Sequence, residues 1–326
     1  MNPPLRPAPR LSCVVSVPTT IRDRIEQVLE KLPVPSSLAV QVAALDADRI
    51  DYFERVHELV DADPGFALRV LHMANSAQYR AGRPVLSTAA ALLRVGARAA
   101  AGLMLADSIQ RVFPALDRGA RELWMHSVLA ACFMRRMAPM VSNTRIDPGE
   151  AYTAGLLHDI GRFLMLAHNP QQFQMVEQAR WDGPEELARI EVGWFGYTHA
   201  DLGYLALHQW HLPEAFAVVA RDHHRGVPAV AGEGKVESLL ALLADVDGLA
   251  TLVAREGLGW FDDAMCSAAW LEQNTRLRYR WDLTHRVSVL RSATREAHEL
   301  LEALGLSAPE FVHRTAGERS PPAVCV

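Results

Sequence analysis

Two residues able to do chemistry stand where none is expected. From Ala151 to Leu166 the chain reads Ala-Tyr-Thr-Ala-Gly-Leu-Leu-His-Asp-Ile-Gly-Arg-Phe-Leu-Met-Leu. This stretch is apolar on nearly every side, which predicts one helix buried in a larger helical body. His158 and Asp159 lie at its centre. A buried ionised carboxylate is costly unless it is paired or binds a metal. The chain offers His126 upstream and His199, His223, His224 and Asp245 downstream. Taken singly, each has an ordinary explanation. His126 reads as a core histidine, His199 sits at a helix start, and His223-His224 closes a helix whose dipole favours imidazolium. Asp245 is harder to dismiss, because Leu-Leu-Ala-Leu-Leu-Ala precedes it. Taken together, eight of the thirteen histidines fall between positions 126 and 224. Imidazoles and carboxylates without thiolate suit iron, manganese, zinc or magnesium rather than a soft metal. Two such ions close together could activate water toward the phosphorus of a phosphoester. Arg162, one turn beyond His158, is placed either to clamp a phosphate oxygen or to face solvent.

The elements that must position these residues are all helical. Ile21, Ile25, Val28 and Leu29 recur at helical spacing, and Thr20 with Asp23 suggests a capping box ahead of them. Leu32-Pro33-Val34-Pro35 breaks that helix. Helices follow over 37–44 and 52–60. Asp63-Pro64 and Asp147-Pro148 are strong helix starts, with Asp as N-cap and Pro in the first turn. Asn75-Ser76 ends the helix that Asp63 opens, since such side chains compete for backbone hydrogen bonds. Gly96 separates a helix over 87–95 from one over 97–111. Further helices are predicted over 120–137, 170–179, 184–194, 201–210 (capped by Thr198 with Asp201), 213–224, 236–255, 261–275 and 283–304. Gly226 to Gly234 is a Gly/Pro/Ala loop. No alternating strand pattern and no internal repeat is visible, so the fold class is all-α, multi-helical, of roughly a dozen helices joined by short loops.

Composition bounds what such a body can do. The chain has 326 residues, 50% hydrophobic and 22% charged, ordinary values for a substantial core. A net charge of -5 argues against a nucleic-acid binder, which usually carries a basic surface. The four cysteines, Cys13, Cys132, Cys266 and Cys325, are far apart and fit neither a zinc spacing nor a disulfide framework. A cytoplasmic location is expected. Met1 to Val17 is Pro-rich without a signal-peptide layout, and the apolar segments are interrupted by charges, so no membrane span is expected.

The order His126, His158-Asp159, Asp245 resembles the metal-binding pattern of the HD superfamily of phosphohydrolases. His199, in His-Ala-Asp-Leu-Gly, and His223-His224 are similar to the extra ligands of the HD-GYP branch, which cleaves cyclic di-GMP. That branch's acidic residue and spaced Gly-Tyr-Pro are missing, because Arg225-Gly226-Val227-Pro228 follows at once. The chain more closely resembles the HDOD family, the HD-related output domain. The hallmarks are Leu32-Pro33-Val34-Pro35, the run Asp63-Pro64-Gly65-Phe66-Ala67-Leu68-Arg69-Val70-Leu71, Ala74-Asn75-Ser76, Gly155 to Gly161, His199 to Gly203, Trp210-His211-Leu212-Pro213 and His223-His224. The resemblance spans about Ile21 to Arg225, and more loosely the helices to about Leu304. It implies an HDOD N-terminal helical subdomain over 20–115 packed on an HD-like helical subdomain with C-terminal helices over 116–305. A disordered Pro-rich start over 1–19 and a flexible tail over 306–326 flank them.

The resemblance implies a bacterial signal-transduction role, usually without catalysis, exercised by binding a partner protein in trans or a nucleotide signal. The alternative is a metal-dependent phosphohydrolase of HD type acting on a nucleotide or cyclic dinucleotide. Neither reading involves nucleic acid or a membrane. The first reading takes the cluster as a hydrogen-bonded remnant or a structural metal site, the second as a working one, and any divalent metal (iron, manganese, zinc or magnesium) falls on His126, His158, Asp159, His199, His223, His224 and Asp245.

Overall fold

The structure, a computed structural model, describes residues 18–306, apart from 33, 47, 77–78, 80–82, 115–117, 143, 180, 182, 226–233, 258–259 and 262–263. The Pro-rich start, the tail and the Gly/Pro/Ala loop expected from sequence therefore fall almost wholly outside the described residues. Among those described there are helices and no strand, with one isolated bridge between Val141 and Tyr279.

In chain order the first helices are α1 (Thr19–Leu29), α2 (Ser37–Ala43), α3 (Tyr52–Ala62), α4 (Pro64–Asn75), α5 (Thr88–Val95) and α6 (Ala97–Val112). Local chemistry sets most of their ends. Asp63 caps α4, its Oδ1 accepting from the backbone N–H of Gly65 (2.8 Å) and Phe66 (3.3 Å), with Pro64 in the first turn. Asn75 ends α4 by a wider clasp than expected. Its amide donates to the carbonyls of Leu71 and Val85, and its Oδ1 accepts from Val85 N–H. Gly96 has φ +92°, a conformation that favours glycine, and α5 and α6 meet there at 104°. The capping box expected at Thr20 and Asp23 does not form. Pro18 is the N-cap and its carbonyl accepts from Ile21 and Arg22, so Thr20 already lies inside the first turn.

The remaining helices carry the core. They are α7 (Arg118–Met137), α8 (Pro148–Leu157), α9 (Ile160–His168), α10 (Pro170–Gln178), α11 (Pro184–Phe195), α12 (His199–Gln209), α13 (Glu214–Asp222), α14 (Lys235–Glu256), α15 (Ala264–Asn274) and α16 (Leu283–Ala303). Helix α7 is the axis of this half, packed against α8, α14 and α16. Trp124, Val128, Leu129, Phe133 and Met134 on it are fully or almost fully buried. At Gly155 the α8 backbone comes so near α7 that a Cβ would lie 2.8 Å from the Ala131 Cα. The buried apolar residues form one continuous cluster from Ile25 to Leu306.

The unbroken helix expected from Ala151 to Leu166 is two helices. His158 and Asp159 form the joint between α8 and α9, with Asp159 at φ -101°, ψ 18°. An apolar run gives no local warning of such a break. Just beyond it α9 presses on the start of α12, Gly161 against the His199 carbonyl. Among the described residues no single helix is long and apolar enough to cross a membrane; the bent pair α5–α6 meets that test only when taken together.

Candidate metal centre

The joint points His158 and Asp159 into a crevice walled by α7, α12, the end of α13 and α14. His126 enters from α7, His199 from the first position of α12, His223 and His224 from just beyond α13, and Asp247 from α14. The side chains of His158, His199 and His223 are at most 2% exposed and that of Asp159 is 5% exposed. His126 and Asp247, at 14% and 29%, form the more open side.

Asp159 stands between two groups of donors. Its Oδ2 lies 3.6 Å from His126 Nε2 and 3.7 Å from His158 Nε2, and Asp247 Oδ1 lies 3.1 and 3.3 Å from those same nitrogens. Its Oδ1 lies 3.5 Å from His199 Nε2 and 3.4 Å from His223 Nε2. His224 joins the second group, whose donor atoms all lie within 4.8 Å of one another.

The second nitrogen of each ring decides what the first can do. His158 Nδ1 donates to the Gly155 carbonyl (2.8 Å) and His223 Nδ1 to the Ala220 carbonyl (2.9 Å). His199 Nδ1 donates to Glu191, whose two oxygens are both 2.8 Å away. His126 Nδ1 is 3.3 Å from the Thr251 hydroxyl. With Nδ1 donating to a carbonyl or carboxylate, the neutral rings of His158, His199 and His223 present a bare Nε2 lone pair; the Thr251 hydroxyl both donates and accepts, so it does not fix the tautomer of His126. Yet His126 and His158 bring these atoms to 3.1 Å, and His199 and His223 to 3.4 Å. Two lone pairs face one another stably only with a proton or a metal between them. Asp159 Oδ1 and Asp247 Oδ1 are moreover buried facing imidazole Nε2 atoms, at 3.4–3.5 Å and 3.1–3.3 Å, which is costly for a carboxylate unless those atoms carry a proton or a metal. The residues thus fit one or two divalent cations.

The electrostatics agree. Burial opposes the charge on Asp159, but His158, His223, Arg162 and His199 outweigh it and hold the carboxyl well below the usual carboxylate range. Burial likewise opposes the charge on His158, yet Asp159 and Asp247 raise its pKa to about 9. Burial lowers His223, and with His223 and His199 beside it lowers His224 to about 3, so these two stay neutral and ready to ligate. A proton on His158 occupies the place a metal would take. Below pH 9 that proton must leave first, so apparent metal affinity rises with pH, by roughly tenfold per unit for each proton displaced, until about pH 9. Competition titrations with a chromophoric chelator from pH 6 to 9 measure that slope; a flat profile contradicts it.

A family model described as the HDOD domain matches residues 32–226. The chain belongs to the HDOD domain family. This HDOD protein is also similar to a protein of Treponema pallidum (strain Nichols), at 25% identity over 210 residues, 63% of the chain. The match spans only 39% of that relative's length. Among solved structures it resembles a candidate phosphohydrolase from Shewanella amazonensis SB2B, with TM-score 0.63 and 22% identity over 86% of this chain and 98% of that one. It also resembles an HDOD domain protein of unknown function from Geobacter sulfurreducens, with TM-score 0.59 and 22% identity over 87% and 97%. A candidate signal-transduction protein from Marinobacter aquaeolei VT8 gives TM-score 0.60 and 17% identity over 88% and 66%. At these identities the likeness establishes the all-α fold.

Of the residues singled out in the HDOD sequence, the structure brings together His126, His158, Asp159, His199, His223 and His224. Asp245 is not among them, and the expectation for it is corrected. It is 1% exposed, and its carboxylate accepts from the backbone N–H of Arg276 (2.8 Å) and Leu277 (3.0 Å) and from the Tyr279 hydroxyl (2.8 Å). It fastens residues 276–279, whose backbone also pairs with residues 140–142. Asp247, two positions on, takes the place in the crevice, because successive alternate residues of a helix face different sides. Asp245→Ala should therefore cost roughly 3 kcal/mol of stability, three donors being left unpaired, and leave metal stoichiometry unchanged. Urea denaturation beside elemental analysis checks both halves of that expectation.

Arg162 does not reach out as a clamp. It is ion-paired with Glu177, stacks near Phe173 and Trp181 (5.8 Å to each ring), and lies 4.0 Å from Asp159. Glu191 lies behind His199, its carboxylate accepting from His199 Nδ1. It occupies the buried stripe Leu187, Glu191, Phe195 of α11, where a single carboxylate with a large apolar side chain four residues to either side is itself a signal.

Proposed function

We propose that this HDOD protein is a signal-transduction component that binds two divalent ions, one on His126, His158 and Asp247 and one on His199, His223 and His224. Asp159 serves both, and the centre hydrolyses a phosphoester of the nucleotide or cyclic-dinucleotide class. The observation that carries this reading is the two facing pairs of imidazole Nε2 atoms around one shared carboxylate. Divalent ions bound there supply Lewis acidity toward a phosphoryl oxygen and a lowered pKa for water. The protein's own part is to hold the ligands. Asp159 links the two groups, the Gly155 and Ala220 carbonyls fix the tautomers of His158 and His223, and the open side at His126 and Asp247 is where a phosphate would approach.

A second reading has a specific observation behind it. Arg162, the cation nearest Asp159, is committed to Glu177 and two aromatic rings, and the sequence lacks the Gly-Tyr-Pro segment. These features support a non-catalytic module in which the same ions stabilise one conformation and a partner protein or a nucleotide is bound in trans. The two readings separate in one experiment. Protein purified without chelator and loaded with iron or manganese is assayed against linear and cyclic dinucleotides and simple phosphoesters. Turnover that disappears in His158→Ala supports hydrolysis. Two bound equivalents without turnover support the regulatory module. A wild type that binds no metal removes both.

A further inference from the structure

Glu191 is the feature of this centre that neither the sequence patterns nor the family resemblance assigns. Its carboxylate is 1% exposed on α11, a place where an ion needs strong compensation. The Arg162 guanidinium interacts with it electrostatically, but its hydrogen bonds come from one residue. Both oxygens lie 2.8 Å from His199 Nδ1, and Oε2 also accepts from the His199 backbone N–H at 3.0 Å. The second nitrogens of three of the other four ring ligands, His158, His223 and His126, meet neutral groups, namely the carbonyls of Gly155 and Ala220 and the hydroxyl of Thr251. A carboxylate behind a histidine fixes its orientation and raises its basicity toward a metal, and loss of such a partner usually costs 10–100-fold in metal affinity.

We infer that Glu191 is a positioning residue that makes the His199–His223–His224 group the tighter of the two metal positions, filled before the one on His126, His158 and Asp247. This rests on the metal reading above and gives the centre an order of filling. The more exposed His126–Asp247 side then holds the exchangeable ion, so free divalent cation at the weaker affinity sets whether the centre is complete.

The test is a titration of chelated protein with Mn2+, followed by calorimetry and by the electron paramagnetic resonance of free ion, on wild type, Glu191→Gln, Glu191→Asp and Asp247→Asn. The expected result is two equivalents of unequal affinity in wild type. Glu191→Gln should weaken the tighter one by about 10–100-fold and leave the weaker one in place, Glu191→Asp should recover part of the loss, and Asp247→Asn should remove only the weaker. Glu191 also supports the start of α12 through the His199 N–H, so melting of each chelated variant is measured beside binding. A lowered melting temperature with both affinities unchanged would mean a purely structural role and overturn the inference. A wild type that takes up no metal would instead overturn the reading it rests on. Long-range 1H–15N spectra of chelated wild type give a check that needs no variant at 191. His199 must carry its proton on Nδ1 when neutral, and an Nε2-protonated ring would overturn the inference.

Discussion

Asp159→Asn leaves a folded protein that holds metal at neither position, so that elemental analysis after desalting falls from about two equivalents to near zero. Its two oxygens explain the size of the effect. Oδ2 faces His126 and His158, and Oδ1 faces His199 and His223. An asparagine keeps the shape but removes the charge, and can present only one acceptor. The loss on each side should exceed the roughly 100-fold upper range for a second-layer partner. Asp247→Asn and His223→Ala, by contrast, each affect one group and should leave about one equivalent bound. If Asp159→Asn retained one full equivalent, the shared-carboxylate arrangement would be wrong, and the two groups would have to be treated as unrelated. The substitution keeps the side-chain volume but removes a charge that the neighbouring imidazoles and Arg162 stabilise against burial, so the chelated variant should melt lower than chelated wild type; circular dichroism melts of both establish that the variant is folded where metal is measured.

Much of this arrangement was legible in the sequence for one physical reason: local chemistry announces itself. Asp63-Pro64 and Asp147-Pro148 start helices because capping needs only the residues themselves, and the structure has α4 and α8 at those places. His158-Asp159 stood out because polar groups in an apolar run demand partners. Thr198 with Asp201 forms the expected capping box, which in turn delivers His199 to the crevice. What stayed hidden depends on contacts far along the chain. Which of Asp245 and Asp247 faces inward is set by the rotation of α14 against α7, and the pull of residues 276–279 on Asp245 cannot be read from its neighbours. Glu191 hid as one acidic residue on a surface-like helix. The break between α8 and α9 was invisible because both sides of it are equally apolar.

Just beyond that break α9 crosses the start of α12 backbone to backbone, and Gly161→Ala should disrupt both fold and site. Gly161 lies inside α9, where replacing glycine by alanine ordinarily stabilises by about 1 kcal/mol. Here an added Cβ would sit 1.9 Å from the His199 carbonyl oxygen and 2.7 Å from its carbon. These are backbone atoms at the first turn of α12, with no side-chain rotation available to relieve the clash. Overpacking of this kind costs up to about 3 kcal/mol, occasionally more, so the crossing outweighs the propensity gain and a net loss of about 2 kcal/mol is expected. Relief requires α12 to move, and His199 is its first residue, so affinity at the His199–His223–His224 position should fall along with stability. Gly193 supplies the control: it is exposed on α11 and an added Cβ meets nothing within 4 Å. Gly193→Ala should raise stability by about 1 kcal/mol and leave metal binding untouched. Stability changes of opposite sign in urea denaturation, with Mn2+ affinity lowered only in Gly161→Ala, would tie the centre's integrity to the α9–α12 crossing; a stabilised, fully metal-binding Gly161→Ala would show that the crossing does not govern it.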